Sequence, residues 1–121
     1  MVKSNETAWA AIFGRVDAIV GERPAEYDAP TIANVREFLE FAKSQNLPPP
    51  DVGPGYWPTF SLTWDAPGAE NLEIEVFADR LEVYRFHPGR TDIWYEPREF
   101  GAPFSPKLLA EMPRSSCRNS S

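Results

Sequence analysis

Two stretches of alternating apolar and polar residues constrain the fold of this chain more than any other feature. Residues 59–65 read Thr-Phe-Ser-Leu-Thr-Trp-Asp, and residues 72–77 read Leu-Glu-Ile-Glu-Val-Phe. Because successive side chains of a strand point to opposite faces, each stretch predicts a strand with one apolar and one polar face. The polar face of the second strand carries Glu73 and Glu75. The pattern therefore predicts a sheet with a covered apolar face and an open acidic face.

The segment after these stretches contains signals for two more strands. Alternating residues at 80–86 and 91–95 follow short turn sequences, Ala-Asp at 78–79 and His-Pro-Gly-Arg at 87–90. Strands joined by such short turns pair as antiparallel neighbours. We therefore expect an antiparallel meander of four strands, beginning near residue 59.

Two amphipathic helices are predicted before the sheet, at about residues 5–21 and 30–45, because apolar residues recur there at helical spacing. Asp28 or Ala29 is the expected cap of the second helix. Ser105 is the expected cap of a short helix that ends near residue 112. Helices that cover the apolar face of a sheet give an α+β fold. We expect a single α+β domain over residues 1–113 and a flexible tail over residues 114–121.

The turn at residues 78–79 decides which acidic residues face each other. If the turn has two residues, Glu75 lies opposite Glu82, and like charges in that position are unfavourable unless a cation lies between them. We expect that cation to come from Arg98, from Arg90 or from a binding partner. In the same register Tyr84 and Phe86 share the face of Glu82. A longer turn with another register is the alternative.

The run Leu-Pro-Pro-Pro-Asp-Val-Gly-Pro-Gly at residues 47–55 cannot continue a helix. Consecutive prolines favour an extended polyproline conformation. We interpret the run as a rigid crossover from helix to sheet. The alternative is a proline-rich ligand for a recognition module.

Charge and composition narrow the classes of partner. The chain has 121 residues and a net charge of −6. This negative charge disfavours binding to nucleic acid or to an anionic membrane and favours binding to a protein with a basic surface. Negative charge that serves only solubility is the alternative. Cys117 is the sole cysteine, so an intrachain disulfide is not possible and a reducing compartment fits. The chain shows neither a signal-peptide pattern nor an apolar run of membrane-spanning length, so we expect a cytoplasmic protein.

Motifs of known catalytic chemistry are not found in the sequence. It has no phosphate-binding glycine loop, and His87, the only histidine, precedes a Pro-Gly turn. The glutamates of the sheet could form an acid–base pair or bind a cation, although alternating glutamates more often form a solvated face. We therefore expect no catalytic residues, no metal and no cofactor.

The best candidate site is a contact surface on the acidic face, because Tyr and Trp are enriched at protein interfaces. Its predicted members are Glu73, Glu75, Glu82, Tyr84, Trp94 and Tyr95. Trp94 and Tyr95 are adjacent, so one of the two rings is expected in the core.

The first helix has a second feature of interest, a row of small uncharged residues. The row consists of Thr7, Ala11, Gly14 and Ala18. Small side chains let another backbone approach closely, so we expect a second helix or another subunit against this row, which makes it a candidate contact for a homodimer. The alternative is that the alanines merely favour helix formation.

Five segments of the chain resemble a recurring type of small bacterial protein. They are Phe38-Leu39, Leu47-Pro-Pro-Pro-Asp-Val52, Leu62-Thr-Trp64, Leu72-Glu-Ile-Glu-Val76 and Arg80-Leu-Glu-Val-Tyr84. In that type a helix ending in a hydrophobic pair leads to a proline-rich crossover, a Leu-x-Trp strand and a meander. Such proteins look like phage, mobile-element or toxin–antitoxin companions. The chain departs from the type at residues 26–28, where Glu-Tyr-Asp replaces a Trp-Asp-Gly-Tyr-Gly-like run, and no catalytic residue is carried over.

Together these patterns predict a non-enzymatic protein-binding module. Its expected form is a small acidic inhibitor of the antitoxin, immunity or anti-defence type, which blocks a basic site on its partner. A structural subunit or homo-oligomer is one alternative, and a carboxylate-based enzyme or metal binder is the other.

Overall fold

A computed structural model describes residues 2–65 and 69–113 of the chain, with side chains from residue 6 onward. The helices are α1 (Val2–Glu22), α2 (Ala29–Ser44) and α3 (Pro106–Glu111), and the strands are β1 (Asp51–Pro54), β2 (Phe60–Thr63), β3 (Leu72–Val76), β4 (Arg80–His87) and β5 (Arg90–Pro97). The predicted tail at residues 114–121, with Cys117, lies outside the described residues.

The strands form one antiparallel sheet in the order β1-β2-β3-β4-β5. The predicted α+β class and antiparallel meander are confirmed, but the expected number of four strands is wrong. The additional strand is β1, which lies within the proline-rich run. Pro54 is tolerated there because β1 pairs only with β2, so a missing N–H at the outer edge costs no sheet hydrogen bond. The run is thus a crossover that ends as an edge strand.

The register between β3 and β4 is the one that a two-residue turn predicts. Glu75 lies opposite Glu82, and Val76 lies opposite Leu81. The N–H of Phe77 donates to the carbonyl oxygen of Arg80 at 2.9 Å, which closes the hairpin around residues 78–79. The alternative of a longer turn is therefore excluded.

The core lies between one face of the sheet and the helices. Its largest fully buried side chains include Trp9, Val16, Val35, Phe38, Leu39, Phe60, Leu62, Ile74 and Leu81. They come from α1, α2 and three strands, and on each strand they alternate with residues of the opposite face. We call the helix-covered face of the sheet the inner face and the opposite one the outer face.

Local caps define where two helices begin. The Asp28 side chain accepts a hydrogen bond from the N–H of Thr31 at 3.1 Å, as an N-cap residue does. A hydrogen bond from the Thr31 hydroxyl, together with this bond from its N–H, lowers the pKa of Asp28 below its usual value. The Ser105 side chain likewise accepts from the N–H of Leu108 at 3.1 Å. Of the two caps predicted for α2, Asp28 is the one found, and the cap predicted for α3 is confirmed.

A buried ion pair joins α2 to the segment that follows β5. The guanidinium of Arg98, whose side chain is 1% exposed, donates to Oε1 of Glu37 at 2.8 Å. The other carboxylate oxygen of Glu37 accepts from the N–H of Gly101 at 2.8 Å. The guanidinium also lies 3.8 Å from the ring centroid of Phe104. These contacts hold the chain against α2 after it leaves the sheet.

Candidate protein-binding surface

The outer face of β4 and β5 carries a group of apolar side chains that the helices do not cover. Phe86 is 43% exposed, Ile93 is 52% exposed and Tyr95 is 62% exposed. Tyr84 lies opposite Ile93 in the register and is half-buried. These four residues, Tyr84, Phe86, Ile93 and Tyr95, are called the β4–β5 patch below. Large apolar side chains are common on surfaces singly, but a contiguous group on one sheet face is typical of interaction sites.

The aromatic rings within the patch are held in place. The rings of Tyr84 and Phe86 are stacked with centroids 6.2 Å apart. The Tyr84 hydroxyl donates to Oε1 of Glu82 at 2.6 Å. Burial, the bond to Glu82 and the nearby negative charges together raise the pKa of Tyr84. The hydroxyl therefore stays protonated and keeps donating throughout the physiological pH range.

Acidic residues border the patch, but each of them has a partner. Glu82 accepts from Nε of Arg80 at 2.8 Å, and Glu73 accepts from the hydroxyl of Ser61 at 2.9 Å. Glu75 accepts a short hydrogen bond from the hydroxyl of Thr59. The acidic face is thus an ordered network in which carboxylates are bound by neighbouring side chains.

The expectation of an open acidic face is wrong for Glu75, which is only 8% exposed. The reason is the loop between β1 and β2. A Cβ atom on Gly55 would lie 2.8 Å from the Glu75 carboxylate and 2.0 Å from the Thr59 hydroxyl oxygen. The backbone of the loop therefore passes close over this carboxylate and covers it.

The cation beside the facing pair Glu75 and Glu82 is Arg80, whose guanidinium binds Glu82. This finding corrects the expectation of Arg98 or Arg90. Arg98 is buried against α2, and Arg90 binds Asp92 of its own strand, β5, at 3.1 Å. Arg80 is two residues from Glu82, and this spacing, which places both side chains on the same face of β4, is the sequence signal that identifies it.

Five of the six predicted contact residues lie on the outer face, and Trp94 does not. The register places Trp94 opposite Val83 on the inner face, where it packs against the core beneath Lys107, whose Nζ lies 4.5 Å from a Trp94 ring centroid. Tyr95 is the ring that faces outward, so the expectation that the two rings point to opposite faces is confirmed. Phe86 and Ile93 were absent from the predicted set, although their spacing from Tyr84 and Tyr95 places them on the same face.

The row of small residues on α1 is exposed at all of its positions, Thr7, Ala11, Gly14 and Ala18. A Cβ atom on Gly14 would have no neighbour within 4 Å. The row is therefore not buried by the rest of the described chain, and the expectation of a second helix covering it is wrong within residues 2–65 and 69–113. Its role in a homodimer stays a prediction.

Other candidate chemistry is limited in the part of the chain that the structure describes. Nε2 of His87 lies 3.0 Å from the Asp92 carboxylate at the exposed tip of the β4–β5 hairpin. No group of three or more His, Cys, Asp or Glu side chains within residues 2–65 and 69–113 could hold a metal ion. None of the helices in these ranges has both the length and the hydrophobicity needed to cross a membrane.

Comparison with protein-family models found no matching family. Comparisons with curated proteins and with solved structures found no significant match. The function is therefore inferred from the geometry of the surface itself.

Proposed function

We propose that this protein is a non-enzymatic protein-binding module that docks through the β4–β5 patch and occludes a basic surface of its partner. The observation that carries the proposal is the set of three large apolar side chains, 43–62% exposed, on a sheet face that the described helices leave uncovered. Burying such side chains is the main source of affinity at protein interfaces, and aromatic residues contribute more than most.

The neighbouring charges favour a partner with lysine or arginine beside an apolar side chain. Glu73 is bound by the hydroxyl of Ser61, a neutral donor, so its negative charge is not neutralised within this pair. Glu82 shares Arg80 with Asp79, so two carboxylates are bound to one guanidinium. The surface beside the patch is therefore negative, and complementary charges steer a basic partner and set its orientation.

The order of the patch also supports binding without large rearrangement. The Tyr84 ring is fixed by the hydrogen bond to Glu82 and by stacking on Phe86. Side chains that are already ordered lose less conformational entropy when they are buried by a partner. We propose that the protein acts as a small acidic inhibitor, and that its mechanism is steric occlusion of the partner by this preformed surface.

Site-specific photocrosslinking tests the location of the surface. The photoreactive residue p-benzoylphenylalanine is placed at Phe86 in one protein and at Phe100 in the control. Phe100 is 79% exposed but lies beyond β5, outside the patch. We expect a defined protein adduct in lysate from position 86 and not from position 100. Absence of an adduct at 86, or the same adduct at both positions, would refute the assignment.

A salt titration of the captured complex tests the electrostatic part of the mechanism. Glu73→Gln removes a charge whose partner among the described residues is the Ser61 hydroxyl, and Glu6→Gln, at an exposed position of α1, is the matched control. We expect the association rate to fall with ionic strength and with Glu73→Gln, but not with the control, because steering by charge is screened by salt. An association rate that is indifferent to both would contradict a basic partner.

A further inference from the structure

The two edges of the sheet differ in how they are protected from pairing. The β1 edge spans four residues, contains Pro54, and has its Val52 carbonyl oxygen occupied by Nε of Arg15 at 3.1 Å. The β5 edge spans eight residues, and its only proline is the last one, Pro97. Natural sheets protect exposed edges with prolines, charged side chains, short strands or covering groups. β1 has a proline, a short length and a covering group, whereas β5 over residues 90–96 has only the charged side chains of Arg90, Asp92 and Glu96 among the described residues.

The hairpin geometry identifies which backbone groups of β5 face outward from the edge. A two-residue turn closes between His87 and Arg90, so every second residue from Arg90 exchanges hydrogen bonds with β4. The N–H of Arg98 continues this series by donating to the carbonyl oxygen of Asp79 at 2.9 Å. The backbone groups of Thr91, Ile93 and Tyr95 therefore point away from β4. Within residues 2–65 and 69–113, no backbone hydrogen bond from another element satisfies them.

We propose that β5 pairs with β5 of a second copy of this chain, so that two five-stranded sheets join into one. An antiparallel pairing of identical strands obeys a twofold axis and closes without leaving a further copy to add at that edge. The residues that face outward, Thr91, Ile93 and Tyr95, then exchange both N–H and C=O groups across the axis. Pairing would satisfy backbone groups that form no backbone hydrogen bond to another element within the described residues.

Charge selects the register of this pairing. With the axis at Ile93, Ile93 faces Ile93 of the second copy, and Thr91 faces Tyr95. Moving the axis by one residue brings Asp92 opposite either Asp92 or Glu96 of the second copy, and like charges directly opposite are unfavourable. The Asp92 side chain is 52% exposed and is bound by Arg90 of the same strand, so this ion pair reduces the repulsion but does not replace it with an attraction between the two copies. The axis at Ile93 avoids both like-charge contacts.

The pairing also extends the surface described above. A twofold axis perpendicular to the sheet keeps both outer faces on the same side, so the two β4–β5 patches meet at Ile93. Pairing itself depends on backbone groups of the edge and not on any contact of the patch with another protein. The two proposals can therefore fail independently.

Thr91→Pro tests the pairing, with Thr91→Val as the matched control. The Thr91 N–H points away from β4, so proline removes an outward donor and no hydrogen bond of the hairpin, whereas valine keeps the donor. Light scattering of the wild-type protein, from micromolar to millimolar concentration, should show twice the 13.7 kDa chain mass. Thr91→Pro should weaken dimerisation at least about tenfold, and Thr91→Val should not.

Amide hydrogen exchange of the wild-type protein gives a second readout that needs no variant. The amides of Thr91, Ile93 and Tyr95 should become protected as concentration rises, while that of Val52 on the other edge should not change. The proposal would be overturned if wild-type protein is monomeric at every concentration, or if Thr91→Pro and Thr91→Val dimerise equally well. It would also be overturned if the exchange of these amides does not depend on concentration. Phe86→Ser should leave the dimer intact, which separates this result from loss of the docking surface.

Discussion

Replacing Arg98 by alanine should destabilise the fold far more than removing an arginine from a surface ion pair. The Arg98 side chain is 1% exposed, and its partner Glu37 is 20% exposed. Alanine removes the cation and leaves a largely buried carboxylate with the N–H of Gly101 as its remaining donor. Breaking a buried pair from one side is costly because the remaining charge has lost both water and its partner.

The magnitude follows from the contacts that are lost. The 2.8 Å bond to Glu37 is charge-assisted and is worth about 1.5–3 kcal/mol. The contact with the Phe104 ring at 3.8 Å adds about 1 kcal/mol or more. The bonds to Asn34 and to the carbonyl oxygen of Pro103 are both 3.4 Å long and contribute little. Since Glu37 keeps one donor and some water, we expect a total loss of about 3 kcal/mol.

Urea unfolding followed by circular dichroism measures this loss, and Arg36→Ala is the matched control. Arg36 binds Asp17 with side chains that are 43% and 66% exposed, so its removal should cost less than about 1 kcal/mol. A loss of 3 kcal/mol corresponds to a fall in Tm of about 10 °C for a domain of this size. If Arg98→Ala costs no more than Arg36→Ala, the buried pair does not hold the segment after β5, and this account of it is wrong.

Two further predictions concern the loop over Glu75 and the pH dependence of stability. Gly55→Ala should cost about 1–3 kcal/mol in urea unfolding, because its Cβ would lie 2.0 Å from the hydroxyl oxygen of the buried Thr59. The control Gly14→Ala has open space around its Cβ and should stabilise α1 by up to about 1 kcal/mol. Equal effects of the two substitutions on the free energy of unfolding would contradict the close approach of Gly55 to Thr59. Because the pKa of Tyr84 is raised in the folded state, the unfolded chain loses that proton first, and the free energy of unfolding should fall above about pH 10. Between neutral and strongly alkaline pH, the free energy of unfolding should fall less for Tyr84→Phe than for wild type. Identical pH profiles of the two proteins would show that Tyr84 is not responsible for the fall.

Local signals in the sequence were enough to predict much of the fold. The alternation at residues 72–77 and the turn at 78–79 determine the register that places Glu75 opposite Glu82. Asp28 and Ser105 cap helices because their side chains bond to backbone groups only three residues away. Such contacts depend on short-range spacing, which the sequence displays directly.

The features that could not be predicted depend on contacts between distant parts of the chain. The prolines around β1 indicate an extended chain, but only pairing with β2 makes that chain a strand. The burial of Glu75 depends on Thr59, sixteen residues earlier, and on the path of the loop at Gly55. The partner of Arg98 is Glu37, at a separation of 61 residues. Five of the six residues predicted for the candidate surface therefore lie on one sheet face, but Glu75 is buried there, and the exposed side chains of Phe86 and Ile93 were not in the predicted set.

The affinity of the crosslinked partner for three purified proteins tests the central claim most directly. Wild type, Phe86→Ser and Phe100→Ser would be compared by isothermal titration calorimetry, since both phenylalanines are exposed and only Phe86 lies in the β4–β5 patch. We expect Phe86→Ser to weaken binding about tenfold or more, as truncation of a central aromatic side chain does, and Phe100→Ser to bind like wild type. Equal affinities for all three proteins would show that the outer face of β4 and β5 is not where the partner docks.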